Sequence, residues 1–349
     1  MKVLSKKAGF WARLKQPIYA LAPMEDVTDA AFRLVIARRG KPDVAFAEFA
    51  SADGLCSERG RPNLMKLLYF DEIERPVVAQ IFGEKPDNMY KAARICKEVG
   101  FDGVDINMGC PVKKVVRTGC GSALINTPEL AREIIQAVQA GADPLPVSVK
   151  TRIGYNEIVL EEWLGHLLEV EPVAVTLHLR TRREMSKVDA HWEVMPAAVK
   201  QAENTSTLII GNGDIRDLDH ADQLIAETGM DGAMLGRAIY GNAWLFNREL
   251  RPEHITVHDR LELLEEHSLL YENVFGGRKN FAIMRKHLLA HTTGFFGCRE
   301  LRQRLETVRC AADVLDAIAW FTAEFDHIHQ FSSHKKTGAL TASGNRAGD

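Results

Sequence analysis

This 349-residue chain has few cysteines, no long apolar run and almost no net charge, and each shortage removes a class of protein. The six cysteines, at 56, 96, 110, 120, 298 and 310, form no Cys-x-x-Cys pair and meet no histidine at zinc-finger spacing. Neither a disulfide framework nor a metal site is indicated, and they read as thiols of a reducing compartment. No stretch of about eighteen apolar residues occurs, and Met1 to Lys7 lacks the apolar core of a secretory signal. A cytoplasmic protein without a membrane span is expected, and nothing calls for an obligate protein partner. The formal charge of −3 does not by itself argue for nucleic acid, yet it hides an asymmetry. Arg278, Lys279, Arg285, Lys286, Arg299, Arg302, Arg304 and Arg309 face only Glu300 and Glu306 over one segment, a formal +6 that attracts phosphates or solvates a helix face.

What is present is most informative at Asp105-Ile106-Asn107-Met108-Gly109-Cys110-Pro111, where a thiol follows an amide by three residues as an apolar strand stops. Gly109 and Pro111 force an irregular loop there. A half-exposed cysteine at a strand's end is expected to do chemistry rather than fill a core, although most intracellular cysteines do the latter.

Short β-rich runs recur at Ile18 to Leu21, Val44 to Phe46, Val77 to Ile81, Gly103 to Ile106, Val147 to Val149, Val173 to Leu177, Leu208 to Ile210 and Gly232 to Leu235. Helical periodicity and start signals lie between them: Asp29 before Ala30, Pro86-Asp87 before Met89, Thr127-Pro128-Glu129 before Leu130. Eight strands in strict alternation with helices predict a (β/α)8 TIM barrel over residues 17–250. A smaller all-helical domain is expected at 251–331, a basic N-terminal arm at 1–16, and a disordered tail at 332–349, which is rich in Ser, Gly, Thr and Lys.

Polar residues gather where each strand ends, the rim that carries active sites in this architecture. Gly211-Asn212-Gly213-Asp214 and Gly236-Arg237-Ala238 end strands seven and eight, a pattern suited to a phosphate-bearing cofactor or merely to turns. Lys150 ends the fifth strand, so its ammonium is expected to meet an anion such as a reduced flavin; a Schiff-base lysine is the competing reading. Gln80 and Asn107 suit the amide-like edge of an isoalloxazine or a pyrimidine, or else satisfy loop backbone, and His178 serves a ligand or its own loop.

Taken together, Ala22-Pro23-Met24-Glu25-Asp26-Val27-Thr28-Asp29, Asn107 to Pro111, Lys150-Thr151-Arg152, His178-Leu179-Arg180-Thr181, Gly211 to Asp214 and Gly236-Arg237-Ala238 resemble the tRNA-dihydrouridine synthases, in the right order across the barrel. That resemblance implies an FMN enzyme that uses NADPH to reduce the C5=C6 bond of uridine in tRNA. Hydride would pass from flavin N5 to C6, and Cys110 would give the proton to C5. It also implies that Pro23, Met24, Gln80, Lys150 and His178 line the flavin, and that Asn212, Gly213, Asp214, Gly236 and Arg237 hold its phosphate end. Asn107, Lys114, Arg152, Arg180, Arg302 and Arg304 would meet the substrate, with Lys113, Arg117, Arg182 and Arg183 nearby. A thiol that titrates at about 8.5 is protonated near neutral pH and suits the donor role. Two positions depart from the family pattern. Asp26 replaces a usual glycine and adds charge near the flavin loop, and Leu179 replaces a small residue and adds bulk near the substrate path.

Three other readings compete: an FMN barrel oxidoreductase acting on a free pyrimidine-like metabolite, a flavin-free aldolase or isomerase using Lys150, and a non-catalytic RNA-binding protein. The first leaves the basic helical segment unexplained.

Overall fold

The computed structural model describes residues 6–329. Eight strands, β1 (Ile18–Leu21), β2 (Val44–Phe46), β3 (Val77–Phe82), β4 (Gly103–Met108), β5 (Val147–Arg152), β6 (Ala174–His178), β7 (Leu208–Asn212) and β8 (Gly232–Leu235), pair in parallel in chain order. β8 returns to β1, with Ile18 opposite Gly232 and Leu21 opposite Leu235, so the sheet is a closed TIM barrel. A two-residue strand, Ala50–Ser51, extends the pairing at the top of β3.

The crossover helices begin where the sequence signals them. Asp29 accepts the Phe32 amide at 3.0 Å and caps Ala30–Arg39; Pro86 and Pro128 open Pro86–Val99 and Pro128–Ala142. Strand residues alternate. Val104, Ile106, Val149, Val175, Leu177 and Ile209 face the helices, while Ile18, Ala20, Val44, Phe46, Val78, Leu208, Ile210 and Met234 fill the barrel interior. Each large side chain so buried contributes about 1.5–3 kcal/mol.

Of the stretch expected to be a basic arm, 1–16, the described part is instead packed on this core. Lys6–Arg13 forms a 3-10 helix that turns Ala8, Phe10 and Trp11 inward against Ile18, Val44, Val173 and Leu208, closing the N-terminal end of the barrel. Burial of two aromatic rings outweighs the solvation preference of the flanking charges, which stay outside. The apolar filling below leaves the upper end for polar groups.

Beyond the barrel, Val257–Phe275, Met284–His291, Cys298–Leu305 and Ala311–His329 are helical, the first opened by a Thr256–Asp259 capping box. Phe32 of the barrel stacks on His267 at 5.0 Å and lies 4.7 Å from His287. Burial holds both imidazoles neutral, His287 down to about 4. The tail expected to be disordered, 332–349, lies outside the described residues. Among the described residues no helix is long and apolar enough to cross a membrane.

Candidate active site

Strand register builds the upper layer of the barrel. Asp105 stands between Gln80 and Ser148, Asn107 beside Lys150, and His178 between Arg152 and Asn212. Side chains two apart on a strand share a face, so these groups point into one polar mouth above the apolar filling.

Lys150 Nζ donates to Asn212 Oδ1 at 3.0 Å, and Asn212 Nδ2 in turn donates to Met234 O at 2.8 Å. Burial, reinforced by the Arg152 charge, lowers the lysine to about 8. An anion in the mouth would reverse that penalty. His178 accepts from Arg180 through Nε2 at 3.3 Å, which puts its proton on Nδ1, and burial among Lys150, Arg152 and Arg180 keeps it neutral.

Cys110 is more buried than a strand-end position implied, at 8% exposure. Its loop is tied at three points. Asn107 Oδ1 accepts the Gly109 and Cys110 amides at 3.1 and 2.9 Å, Arg152 Nε donates to Gly109 O at 2.9 Å, and the Ser122 amide and hydroxyl both donate to Cys110 O, at 3.1 and 2.9 Å. Burial raises the thiol above its ordinary value and Glu25 adds to this, against the Val112 amide, Arg152 and Lys150. The thiol is thus held protonated and is not a standing thiolate.

Four residues expected to touch substrate are engaged within the protein: Asn107, whose Oδ1 holds the Cys110 loop and whose Nδ2 donates to Gln80 Oε1 at 2.9 Å, and three arginines. Arg152 binds Gly109 O as above and the Thr181 and Met185 carbonyls at 3.0 Å each. Arg180 is buried, donating to Val188 O at 2.7 Å and pairing with Asp214. Arg302 donates to Leu289 O and Thr292 O, closing the Met284–His291 helix. Planar guanidinium groups satisfy several carbonyls at once, which makes them loop ties as readily as phosphate ligands. Lys114 is exposed beside the Cys110 loop, and Arg304 is exposed with its guanidinium 3.8 Å over the Trp320 ring.

Among the residues expected to hold the cofactor, Asp214 pairs with both Arg180 and Arg237, so Arg237 is oriented by a carboxylate although its side chain is 62% exposed. Gly213 has φ +139 and a Cβ there would sit 2.8 Å from the Ala190 Cβ, so the glycine is required by the turn itself. Pro23 is buried and Met24 half-buried on the same rim, where a Cβ at Gly236 would lie 3.5 Å from Met24 Sδ. Gln80 is fully buried, its Nε2 on Asp105 at 2.6 Å and its Oε1 on Asn107 Nδ2 at 2.9 Å. The donor set of the mouth, an ammonium, an imidazole N–H and the exposed Arg237, fits a ligand rich in acceptors and negative charge, as FMN is.

The family departures resolve in the fold. Asp26 has φ +57, the left-handed conformation that explains a usual glycine, and its carboxylate lies 3.1 Å from Lys279 Nζ. Leu179 is fully buried in the core, so its bulk fills space between elements and not the substrate path. Sequence reasoning did not single out Asp105 or Ser148 as site residues. Each lies two positions before a chosen one, Asn107 and Lys150, and strand periodicity could have found them.

Residues 20–325 match the family described as Dihydrouridine synthase (Dus). The chain belongs to the dihydrouridine synthase family. A probable tRNA-dihydrouridine synthase of Staphylococcus aureus (strain MRSA252) is 41% identical over 324 residues, 92% of this chain and 98% of that protein. A probable tRNA-dihydrouridine synthase 2 of Bacillus subtilis (strain 168) is 41% identical over 310 residues, 88% of this chain and 94% of the relative. The chain is similar in fold to a 2-naphthoyl-CoA reductase in complex with 2-naphthoyl-CoA, with TM-score 0.55 and 12% identity over 68% of this chain and 50% of that one.

Proposed function

We propose that this chain reduces the C5=C6 bond of uridines in tRNA to give 5,6-dihydrouridine, with FMN as resident cofactor, NADPH as reductant and Cys110 as the proton donor. Family membership and the names of the relatives support the tRNA reaction; the observation that carries the mechanism is a protonated, buried thiol in a loop tied to the barrel mouth. Bound FMN would supply a hydride from N5 to uracil C6. The chain's own groups do the rest. Lys150, Met24, Pro23 and His178 would hold the ring, Lys150 compensating negative charge on it, and Gly213, Gly236 and Arg237 would hold its phosphate end. Cys110 delivers its proton to C5, and burial keeps the thiol protonated until that carbon carries charge.

A uridine in folded tRNA is stacked, so it must be drawn into the mouth before reaction. Lys113, Lys114 and Arg117 are exposed on the segment after Cys110, and Arg183, Arg278, Arg299 and Arg304 are exposed elsewhere, available to grip phosphates. Arg152, Arg180 and Arg302 serve by shaping loops. A tRNA substrate is consistent with work in the cytoplasm.

The test is Cys110→Ala. The expected protein is yellow, bleached by NADPH, and at least about 100-fold slower in forming dihydrouridine on tRNA. Full turnover with flavin bound would overturn the donor role, and a colourless parent that takes up no FMN would overturn the cofactor.

A further inference from the structure

At the base of the mouth lies a fully buried carboxylate that makes no ion pair among the described residues. Asp105 Oδ1 accepts the Ser148 hydroxyl at 2.6 Å and Oδ2 accepts Gln80 Nε2 at 2.6 Å. Burying an ionised carboxylate is unfavourable, and an apolar residue would fill the site with a smaller penalty. Burial pushes this group up to about 6, against the pull of its two hydrogen bonds and Lys150. A carboxylate kept there calls for a compensating role.

That role is direction. A primary amide is nearly symmetric in shape, so Gln80 and Asn107 could each be turned over without steric penalty. An ionised carboxylate only accepts, so Gln80 must present Nε2 to Asp105 and Oε1 to Asn107. Asn107 must then present Nδ2 to Gln80 at 2.9 Å, which leaves Oδ1 for the Gly109 and Cys110 amides. Those amides only donate. The two ends of the chain, one acceptor-only and one donor-only, agree on a single orientation across β3 and β4.

We propose that Asp105 is a positioning residue: through Gln80 and Asn107 it fixes the amide orientation that holds the Cys110 loop in place. This rests on the reading of Cys110 as proton donor only for its catalytic consequence; the mechanical claim concerns the loop itself. If the chain were reversed, Asn107 would point an NH2 at two backbone N–H groups, and the loop would open. Asp105→Asn preserves the direction, because its carbonyl still accepts from Gln80 while its NH2 turns to the Ser148 oxygen. Asp105→Ala removes it.

The experiment is the rate of Cys110 alkylation by iodoacetamide in the full-length protein, followed by peptide mapping between about pH 7 and 10, where Asp105 is ionised. It requires neither flavin nor tRNA. Asp105→Ala, Gln80→Leu and Asn107→Ala are each expected to raise the rate at least about fivefold and to draw the thiol's midpoint down towards about 8.5. Combining Asp105→Ala with Asn107→Ala should add nothing further, since one chain is cut in two places. Asp105→Asn should stay within about twofold of the parent, a rescue that simple filling of space would not produce. A parent-like profile in folded Asp105→Ala, or Asp105→Asn as fast as Asp105→Ala, overturns the proposal. If Asp105→Ala does not fold, Gln80→Leu breaks the next link, and a parent-like Cys110 profile there overturns it equally. A shifted alkylation profile alongside undiminished turnover in Cys110→Ala would sink the donor reading and leave the positioning role standing.

Discussion

Lys150 shows how one side chain's setting prepares it for a ligand. Its ammonium is held by Asn212 in a mouth whose burial and neighbouring Arg152 lower it to about 8. Below that pH the lysine is charged and ready for an anion; above it, binding must first take up a proton. Affinity for FMN is therefore expected to fall as pH rises above about 8, approaching tenfold per unit, and to be weak and flat over that range in Lys150→Gln. Quenching of flavin fluorescence measures it. A parent whose affinity holds constant from about pH 8 to 9.5 would remove Lys150 from the site. The place of this residue at the mouth was legible in the sequence, because a lysine that closes a barrel strand on the inward register reaches the rim. The fate of Arg152, Arg180 and Arg302 was not. A guanidinium that binds phosphate and one that ties off carbonyls look alike until the carbonyls are placed, and loop conformation decides which is near.

At the scale of elements, the junction between the rim and the helical region is electrostatic. Lys279, from the segment after Val257–Phe275, lies 3.1 Å from Asp26, 3.3 Å from Glu48 and 3.9 Å from Asp29. Asp26 N also donates to Glu48 Oε1 at 2.6 Å, and His287 Nε2 lies 3.4 Å from Asp26 O. The loop after β1, which carries Pro23 and Met24, is thus pinned from the helical side. Removing Lys279 leaves the buried Asp29 and Glu48 carboxylates without their strongest opposing charge, so Lys279→Met is expected to lower stability by about 3–5 kcal/mol in urea unfolding. Asp26→Gly gives up one ion pair but relieves a left-handed backbone, and should stay within about 1 kcal/mol of the parent. Equal destabilisation in the two variants would show that Lys279 serves Asp26 alone. Sequence periodicity located the helices, but it carried no sign that Lys279 faces inward: a basic run reads as solvated until its partners are brought from more than 200 positions away.

Over the whole molecule, the +6 segment divides between structure and surface. Lys279 is in the acidic junction, Arg285 donates to Val308 O at 3.0 and 2.9 Å, Arg302 caps a helix and Arg309 pairs with Asp313. Arg278, Arg299 and Arg304 of that segment are exposed, as are Arg183 and, beside Cys110, Lys113, Lys114 and Arg117; these are the cations proposed to meet tRNA phosphates. Charge reversal of Lys113 and Lys114 is expected to weaken tRNA binding and to reduce its salt slope by roughly 0.7–0.9 for each phosphate that is no longer neutralised. Arg302→Glu should act instead through a lower melting temperature. An unchanged salt slope in the first variant would show that the face beside Cys110 does not meet RNA.

The sequence by itself determined the barrel, its strand order and the identity of the mouth. Alternating apolar runs and start signals are local properties, and a closed parallel barrel sends all its strand ends to one rim. Family motifs at those ends then fixed the chemistry to be expected. Only the tertiary structure decided which polar groups touch each other. It turned Phe10 and Trp11 of a supposed arm into the floor of the barrel, buried Cys110 beneath its loop, and set Asp105 between Gln80 and Ser148. Hydrogen-bond partners and ion pairs depend on register and on loops meeting across distant parts of the chain, and no one-dimensional pattern encodes those distances.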